Sequence, residues 1–292
     1  MYVLGHVISA HDSGVFPEID LRRGEHAMTV MVPDLLSCHD WGYSKAWSIA
    51  GAGERSDLVL AHMLGDAVVH YGTRWRGLER KSGWAYLRMG LVARRYDAFY
   101  EHAESRGWRF AGLARDSRRG WAHTMVEYSI DQWIADRMDV AELFAAVRNA
   151  ADDTAVDLGW VHELIAQHVI TPARPVECQP YRYCGALSRS REPDELHLRG
   201  LAVKFQIAES PESIAWLRGW LREIWGAAGD EEMRSVLTSL SAVTADPVGF
   251  GYPVEIAAYA ERLQPTAHRW AGPDGTDPVP SADAPTKETT HG

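Results

Sequence analysis

Apolar side chains run almost all round the segment DLVLAHMLGDAVVHY at residues 57–71. This pattern predicts a helix that is buried on every side, with Ser56 as its N-cap and Gly72 at its end. Ionisable residues interrupt the apolar surface at positions 62, 66 and 70. Because residues four apart lie on one face of a helix, His62, Asp66 and His70 form a polar stripe.

The segment GWAHTMVEYSIDQWIADRM at residues 120–138 repeats this arrangement. His123, Glu127 and Asp131 are again four residues apart, among tryptophan, isoleucine, methionine and valine side chains. The pattern predicts a second buried helix with one polar stripe. If the two stripes face each other, they bring three imidazoles and three carboxylates together in the core.

The rest of the chain is mainly helical in pattern. Helices are predicted over residues 33–50, 84–105, 140–151, 154–169, 211–227, 230–243 and 253–263. The first segment, YVLGHVISA, fits a short strand or an apolar turn, and residues 12–26 are loop-like. Residues 171–195 are rich in proline and have no countable period, so segment 171–200 is predicted to be irregular and to shape a substrate pocket.

These elements predict a mainly α fold, a helical bundle with a metal site in its core. Residues 1–265 are expected to form a single domain. Residues 266–292 are rich in proline, threonine, aspartate and alanine. A segment of that composition buries too little apolar area to order itself, so it is predicted to be a disordered tail.

Composition narrows the function classes. A net charge of −10 disfavours general binding to nucleic acid, because an acidic protein repels phosphate backbones. Three cysteines are too few for a disulfide framework and fit a reducing compartment. The N-terminal segment lacks the features of a signal peptide, and no apolar run is long enough to span a membrane. We therefore expect a cytoplasmic protein that acts on a small molecule, in an oligomeric state that the sequence does not indicate.

The two stripes predict metal binding. Buried ionisable groups need a partner that compensates for the loss of water, and a divalent cation is the simplest partner for imidazoles and carboxylates. Six donors exceed the need of one tetrahedral ion, so two or more ions fit. The alternative is a buried network of hydrogen bonds and ion pairs without metal. Asp131 in particular is suited to accept the ring N–H of a ligating histidine.

The two motif helices resemble those of the zinc-dependent phospholipase C family, which is related to the P1-type nucleases. Family members carry a helix of the form H-Y-x-L-D-x-x-x-H-P-Y, which His62, Asp66, His70 and Tyr71 match; the family's proline is absent, and Gly72 follows Tyr71. A later helix of the form H-R-x-x-E-x-x-I-D is matched by four residues, with Thr124 in place of the arginine. Those four are His123, Glu127, Ile130 and Asp131. The resemblance covers roughly residues 30–135.

The resemblance implies further ligands and an activity. A family histidine that ligates metal corresponds to His39 in MVPDLLSCHDWG, and a bridging aspartate corresponds to Asp57, which Ser56 precedes in place of proline. It implies an all-α bundle that holds two or three zinc ions and hydrolyses a phosphate ester. Asp57 is then the expected general base. Iron or manganese suits the same donors as zinc.

Three other interpretations remain open at this level. The dipeptide His39–Asp40, with His26 and Asp131, is compatible with an HD-type phosphohydrolase. A helical di-metal oxidase with iron is compatible with the donor set, although no paired Glu-x-x-His motif is found. The third is a non-catalytic helical protein with a structural metal.

Overall fold

The computed structural model describes residues 3–14, 22–31, 54–76, 82–108, 118–156 and 179–252. Within these ranges the chain forms helices and no strand, which confirms the mainly α fold. The α-helices are α1 Val3–Asp12, α2 Gly24–Val30, α3 Glu54–Tyr71, α4 Trp84–Val92, α5 Tyr96–Ser105, α6 Arg118–Arg137, α7 Ala141–Val156, α8 Gln179–Ser188, α9 Glu195–Phe205, α10 Pro211–Ala228 and α11 Asp230–Ala245.

Helix α1 lies in the middle of the described bundle. It packs against α3, α6 and α11, and every residue from Val3 to Ala10 is buried. The expectation of a short strand or turn here is wrong. A helix that is enclosed on all sides has no polar face to mark its period, so its pattern matches that of a short buried strand.

The two motif helices, α3 and α6, both pack against α1 in this core. Helices α1, α2, α4 and α11 pack against α3, whereas α1, α4 and α10 pack against α6. Aromatic side chains from α5, α6 and α10 pack against one another in the bundle: Phe99, Trp121, Trp216 and Trp220. Both motif helices therefore form, and α1 and α4 hold them in one core. Helix α3 begins at Glu54, so Ser56 lies inside it and the prediction that Ser56 is its N-cap is wrong.

Three further sequence expectations need correction. Residues 24–30, expected in a loop, form α2, where Gly24 meets α7 so closely that a Cβ there would lie 2.1 Å from the Ala146 carbonyl oxygen. Segment 171–200 contains α8 and much of α9, because Pro180 falls in the first helical turn, where proline is tolerated. Residues 84–105 are two helices joined by a 3₁₀ turn at Ala93–Arg95.

Other predictions fall outside the described residues. They are the helices at 33–50 and 253–263, most of the helix at 154–169, His39 with Asp40, and the tail at 266–292. Asp57 belongs to the backbone of α3, but its side chain is outside the description. Among the helices that are described, none has both the length and the apolar character needed to cross a membrane.

Candidate metal centre

Helix α3 contributes to two separate groups of metal-type donors. We call His6, His62 and Asp66 the first cluster, and His70, His123 and Glu127 the second cluster. In each cluster, one ligand atom from each residue lies within 4.8 Å of the other two. Asp66 and His70 are four residues apart on α3, so the clusters follow each other along one helix at about 6 Å of helical rise.

The predicted stripes are thus divided between the clusters. Successive residues of a helix are rotated by about 100°, so a stripe with four-residue spacing turns by about 40° at each step. His62 and His70 therefore point in directions about 80° apart. His62 and Asp66 meet His6 from α1, whereas His70 meets His123 and Glu127 from α6.

The first cluster is built around two stacked imidazoles. The His6 and His62 rings lie 3.6 Å apart between centroids, with 15° between their planes. The Asp66 carboxylate reaches both rings, with Oδ1 3.3 Å from His6 Nε2 and Oδ2 3.5 Å from His62 Nε2. Both imidazoles are buried and the carboxylate is partly exposed, so this cluster opens to solvent on the side of the acid.

Asp131 is in neither cluster and instead supports the first one. Its buried Oδ1 accepts a hydrogen bond of 3.0 Å from the backbone N–H of Gly5. This N–H belongs to the first turn of α1, where helical N–H groups lack partners within the helix. The carboxylate also suits the positive end of the helix dipole. Asp131 thereby fixes the start of α1 beside His6.

In the second cluster the carboxylate is the buried member. His70 Nε2 lies 2.7 Å from Glu127 Oε1, and His123 Nε2 lies 3.5 Å from the same oxygen. The His70 and His123 rings are 4.8 Å apart between centroids. The Tyr86 ring from α4 lies next to both imidazoles, 5.7 Å from His70 and 5.4 Å from His123.

The end of α3 is held firmly, which fixes His70. The backbone N–H of Gly83 donates to the His70 carbonyl at 2.9 Å, and the Ser82 hydroxyl donates to the Tyr71 carbonyl at 2.8 Å. The hydroxyl of Tyr252 donates to the carbonyl of Gly72, whose φ of +88° suits glycine. Gly83 is required by contact, because a Cβ there would lie 2.2 Å from the Val69 carbonyl oxygen.

Burial keeps two of the imidazoles uncharged. Burial, with the neighbouring His62, lowers the pKa of His6 to about 3. Burial also lowers the pKa of His123 to about 3. Burial alone would raise the pKa values of Asp66 and Glu127, but contacts with His62 and His123 respectively hold both carboxyl pKa values well below normal. Neutral imidazole and carboxylate are the forms that bind metal, and each cluster holds one of each in His6 with Asp66 and in His123 with Glu127.

The donors fit a divalent ion. Nδ1 of His6 makes no hydrogen bond with a described residue, and Nε2 of His6 and of His123 have only contacts of 3.3 and 3.5 Å with the Asp66 and Glu127 carboxylates, although all three nitrogens are buried. Buried polar atoms are normally hydrogen-bonded, so these nitrogens indicate a missing partner. Two imidazoles and one carboxylate are a donor set of catalytic zinc sites, which keep a fourth position open.

The structure brings together five of the residues predicted as ligands: His62, Asp66, His70, His123 and Glu127. The prediction missed His6. Its signal was a single histidine among the apolar residues of GHVIS, at a position with no polar partner in sequence. His26, the candidate upstream histidine of the HD-type interpretation, is buried on α2 but is in neither cluster.

Comparisons with protein-family models, with curated proteins and with solved structures find no match to this chain. The resemblance to zinc-dependent phospholipase C therefore rests on the motif residues alone and stays a prediction.

Proposed function

We propose that this chain is a metal-dependent hydrolase with two neighbouring divalent ions, one in each cluster, and that it acts on a phosphate ester. One observation carries the proposal: two buried sets of two imidazoles and one carboxylate follow each other along α3. A single cluster of this kind is common as a hydrogen-bonded pair in a protein core. Two adjacent clusters with unsatisfied ring nitrogens favour a centre that binds two ions.

The residues of the chain have separate tasks in this proposal. His6, His62 and Asp66 would hold one ion, and His70, His123 and Glu127 the other. When bound, such ions lower the pKa of a water molecule and neutralise charge that develops on phosphoryl oxygens. Asp131 positions α1, and Gly83 positions the end of α3. The surrounding apolar core limits the access of bulk water to the ligands.

The phosphate-ester substrate is supported by the family resemblance and by the donor chemistry together. Divalent ions that neutralise the charge on phosphoryl oxygens suit the displacement of a leaving oxygen from phosphorus. Asp57, predicted as general base, lies five residues before His62, so its Cα is on a different face of α3 from the clusters. Its role in the reaction remains a prediction.

The decisive test is metal analysis by mass spectrometry on protein that is purified without a histidine tag or chelator. We expect two equivalents of zinc in the wild type. His6→Ala should lose the ion of the first cluster, because it removes one of three ligands. His11→Ala is the matched control on the same helix, since His11 is exposed and pairs with Asp12. It should leave the zinc content unchanged.

Other outcomes of the metal analysis would indicate a different function. Iron at the same ligands would favour oxidase chemistry. An equal loss of zinc in both histidine variants would place the ion elsewhere. If the wild type contains no metal and acquires none on addition of zinc, the two clusters are a buried polar network and the hydrolase proposal fails. If zinc is bound but is inert towards phosphate esters, the metal is structural.

A further inference from the structure

Tyr86 on α4 lies against both imidazoles of the second cluster. The centre of its ring is 5.7 Å from that of His70 and 5.4 Å from that of His123, and the two imidazole centres are 4.8 Å apart. The three rings come from three helices, α3, α4 and α6, and form a compact triangle. Because the two distances from Tyr86 are nearly equal, its ring contacts both ligating histidines at once.

The three rings of this triangle are also the partly exposed side chains at the second cluster. Tyr86, His70 and His123 are each partly exposed, whereas the carboxylate of Glu127 is buried. In the first cluster, by contrast, both imidazoles are buried and stack on each other. An ion or ligand from solvent therefore reaches the second cluster on the side of its imidazoles, where the ring of Tyr86 lies against them.

Helix α4 is anchored on both sides of Tyr86, which fixes the backbone that carries this ring. Two residues before it, Trp84 Nε1 donates to the Glu232 carboxylate of α11 at 2.7 Å. Two residues after it, Arg88 Nε donates to the same carboxylate at 2.9 Å. The helix cannot move away from the cluster without breaking these bonds. The cluster is therefore uncovered most easily by rotation of the Tyr86 side chain to another staggered rotamer.

We propose that Tyr86 is the gate of the second cluster, and that rotation of its side chain controls the entry and exit of the ion there. This inference rests on the proposed function, because it assumes that the second cluster binds an ion. The structure shows the closed arrangement, with the ring against both imidazoles. Opening breaks two ring contacts, each worth a few-fold in an equilibrium, so the open arrangement is the less populated one.

The test is to measure zinc uptake and zinc release by stopped flow, with a fluorescent zinc indicator and with excess chelator. The kinetic phase that Glu127→Ala lacks reports the second ion. In Tyr86→Ala both rates of this phase should rise about tenfold, because two ring contacts no longer have to break, while the affinity stays nearly unchanged. Tyr86→Phe keeps the ring and should behave as the wild type.

Tyr100→Ala is the matched control for Tyr86→Ala. It removes another partly exposed tyrosine, on α5, whose hydroxyl donates to the exposed Glu104. It should leave both rates unchanged. Tyr86→Leu retains apolar volume without a ring and should raise both rates less than Tyr86→Ala, so it tests the same point if the alanine variant does not fold. Melting temperature and zinc content are measured on every variant.

Three results would overturn the gate and leave the metal centre standing. The first is that Tyr86→Ala takes up and releases the second ion at the rates of the wild type. The second is faster release with unchanged uptake, which would mean that the ring orients the imidazoles and does not cover them. The third is equal acceleration at both ions, which would mean a general loosening of the core. A wild type that binds no zinc overturns the proposed function, and the gate with it.

Discussion

The two clusters contain the same donor types, but the first exposes its carboxylate and the second exposes its imidazoles. In the first cluster the His6 and His62 side chains are 0% and 1% exposed, while Asp66 is 28% exposed. In the second cluster the carboxylate of Glu127 is 9% exposed, and His70 and His123 are 19% and 17% exposed. The carboxylate faces outward in one cluster, and the imidazoles do so in the other.

If each cluster binds an ion, as proposed, this inversion gives the two ions different tasks. The first cluster has closely stacked rings beneath an anchored helix, an arrangement that holds its ligands rigidly. The second has rings farther apart, and the Tyr86 ring lies next to both of them. We therefore expect the first ion to be held more tightly, and the second to be exchanged more readily and to contact substrate.

The largest expected effect comes from removal of one carboxylate at a time. Asp66→Ala should abolish binding of the first ion, and Glu127→Ala that of the second, because each leaves two buried imidazoles without the anion that offsets the charge of the metal. Each loss should exceed about a hundredfold in affinity. The measurement is zinc stoichiometry, together with the rate of zinc release to a chelator.

The same zinc measurements test whether the two clusters bind their ions independently. If the clusters are independent, Glu127→Ala keeps the slowly released ion and Asp66→Ala keeps the rapidly released one. Loss of both ions in either variant would show that the centre is one cooperative unit, and that the inverted exposure does not separate two tasks.

A smaller effect is expected from Gly83→Ala, which acts on the second cluster through the backbone. The added Cβ would collide with the Val69 carbonyl, so the N-terminus of α4 must move away from the end of α3. We expect a loss of about 1–3 kcal/mol in the free energy of unfolding, as is typical of overpacking. Zinc affinity should fall in the second cluster, since His70 loses the hydrogen bond that fixes its carbonyl.

Gly90→Ala is the control for Gly83→Ala, because Gly90 lies in α4, the helix that Gly83 precedes as N-cap, and a Cβ there meets no atom within 4 Å. It should leave zinc binding unchanged. If zinc is lost from the first cluster in Gly83→Ala and retained in the second, the end of α3 does not position His70 in the way described.

The sequence predicted the two motif helices, but not how their histidines and carboxylates are divided between two clusters. Four-residue spacing placed His62, Asp66 and His70 on one stripe, yet the slow rotation of that stripe directs its two ends to different partners. His6 could not be found because its ligand partners are distant in sequence and α1 is apolar on all sides. Asp131 matched the stripe by spacing, but its partner is a backbone N–H, which no side-chain pattern reveals.

His197 allows the smallest and most specific test, because it is a buried histidine outside both clusters. It is 0% exposed, its Nε2 lies 3.0 Å from Gln132 Oε1, and its buried Nδ1 makes no hydrogen bond with a described residue. It thus shares with His6 an unsatisfied ring nitrogen, yet among the described residues no carboxylate and second imidazole converge on it. His197→Gln should leave zinc content unchanged, which would show that a buried nitrogen alone does not bind metal.

The same variant should alter the response to acid. Burial lowers the pKa of His197 to about 4, below its usual value of 6.5, so the unfolded chain binds a proton more readily in this range. The free energy of unfolding therefore falls as pH decreases from about 6.5 to about 4. Between pH 7.5 and 5, His197→Gln should lose about 2 kcal/mol less stability than the wild type, as measured by urea unfolding. An equal loss in both proteins would mean that His197 does not resist protonation, and a loss of zinc would mean that its nitrogen belongs to a metal site after all.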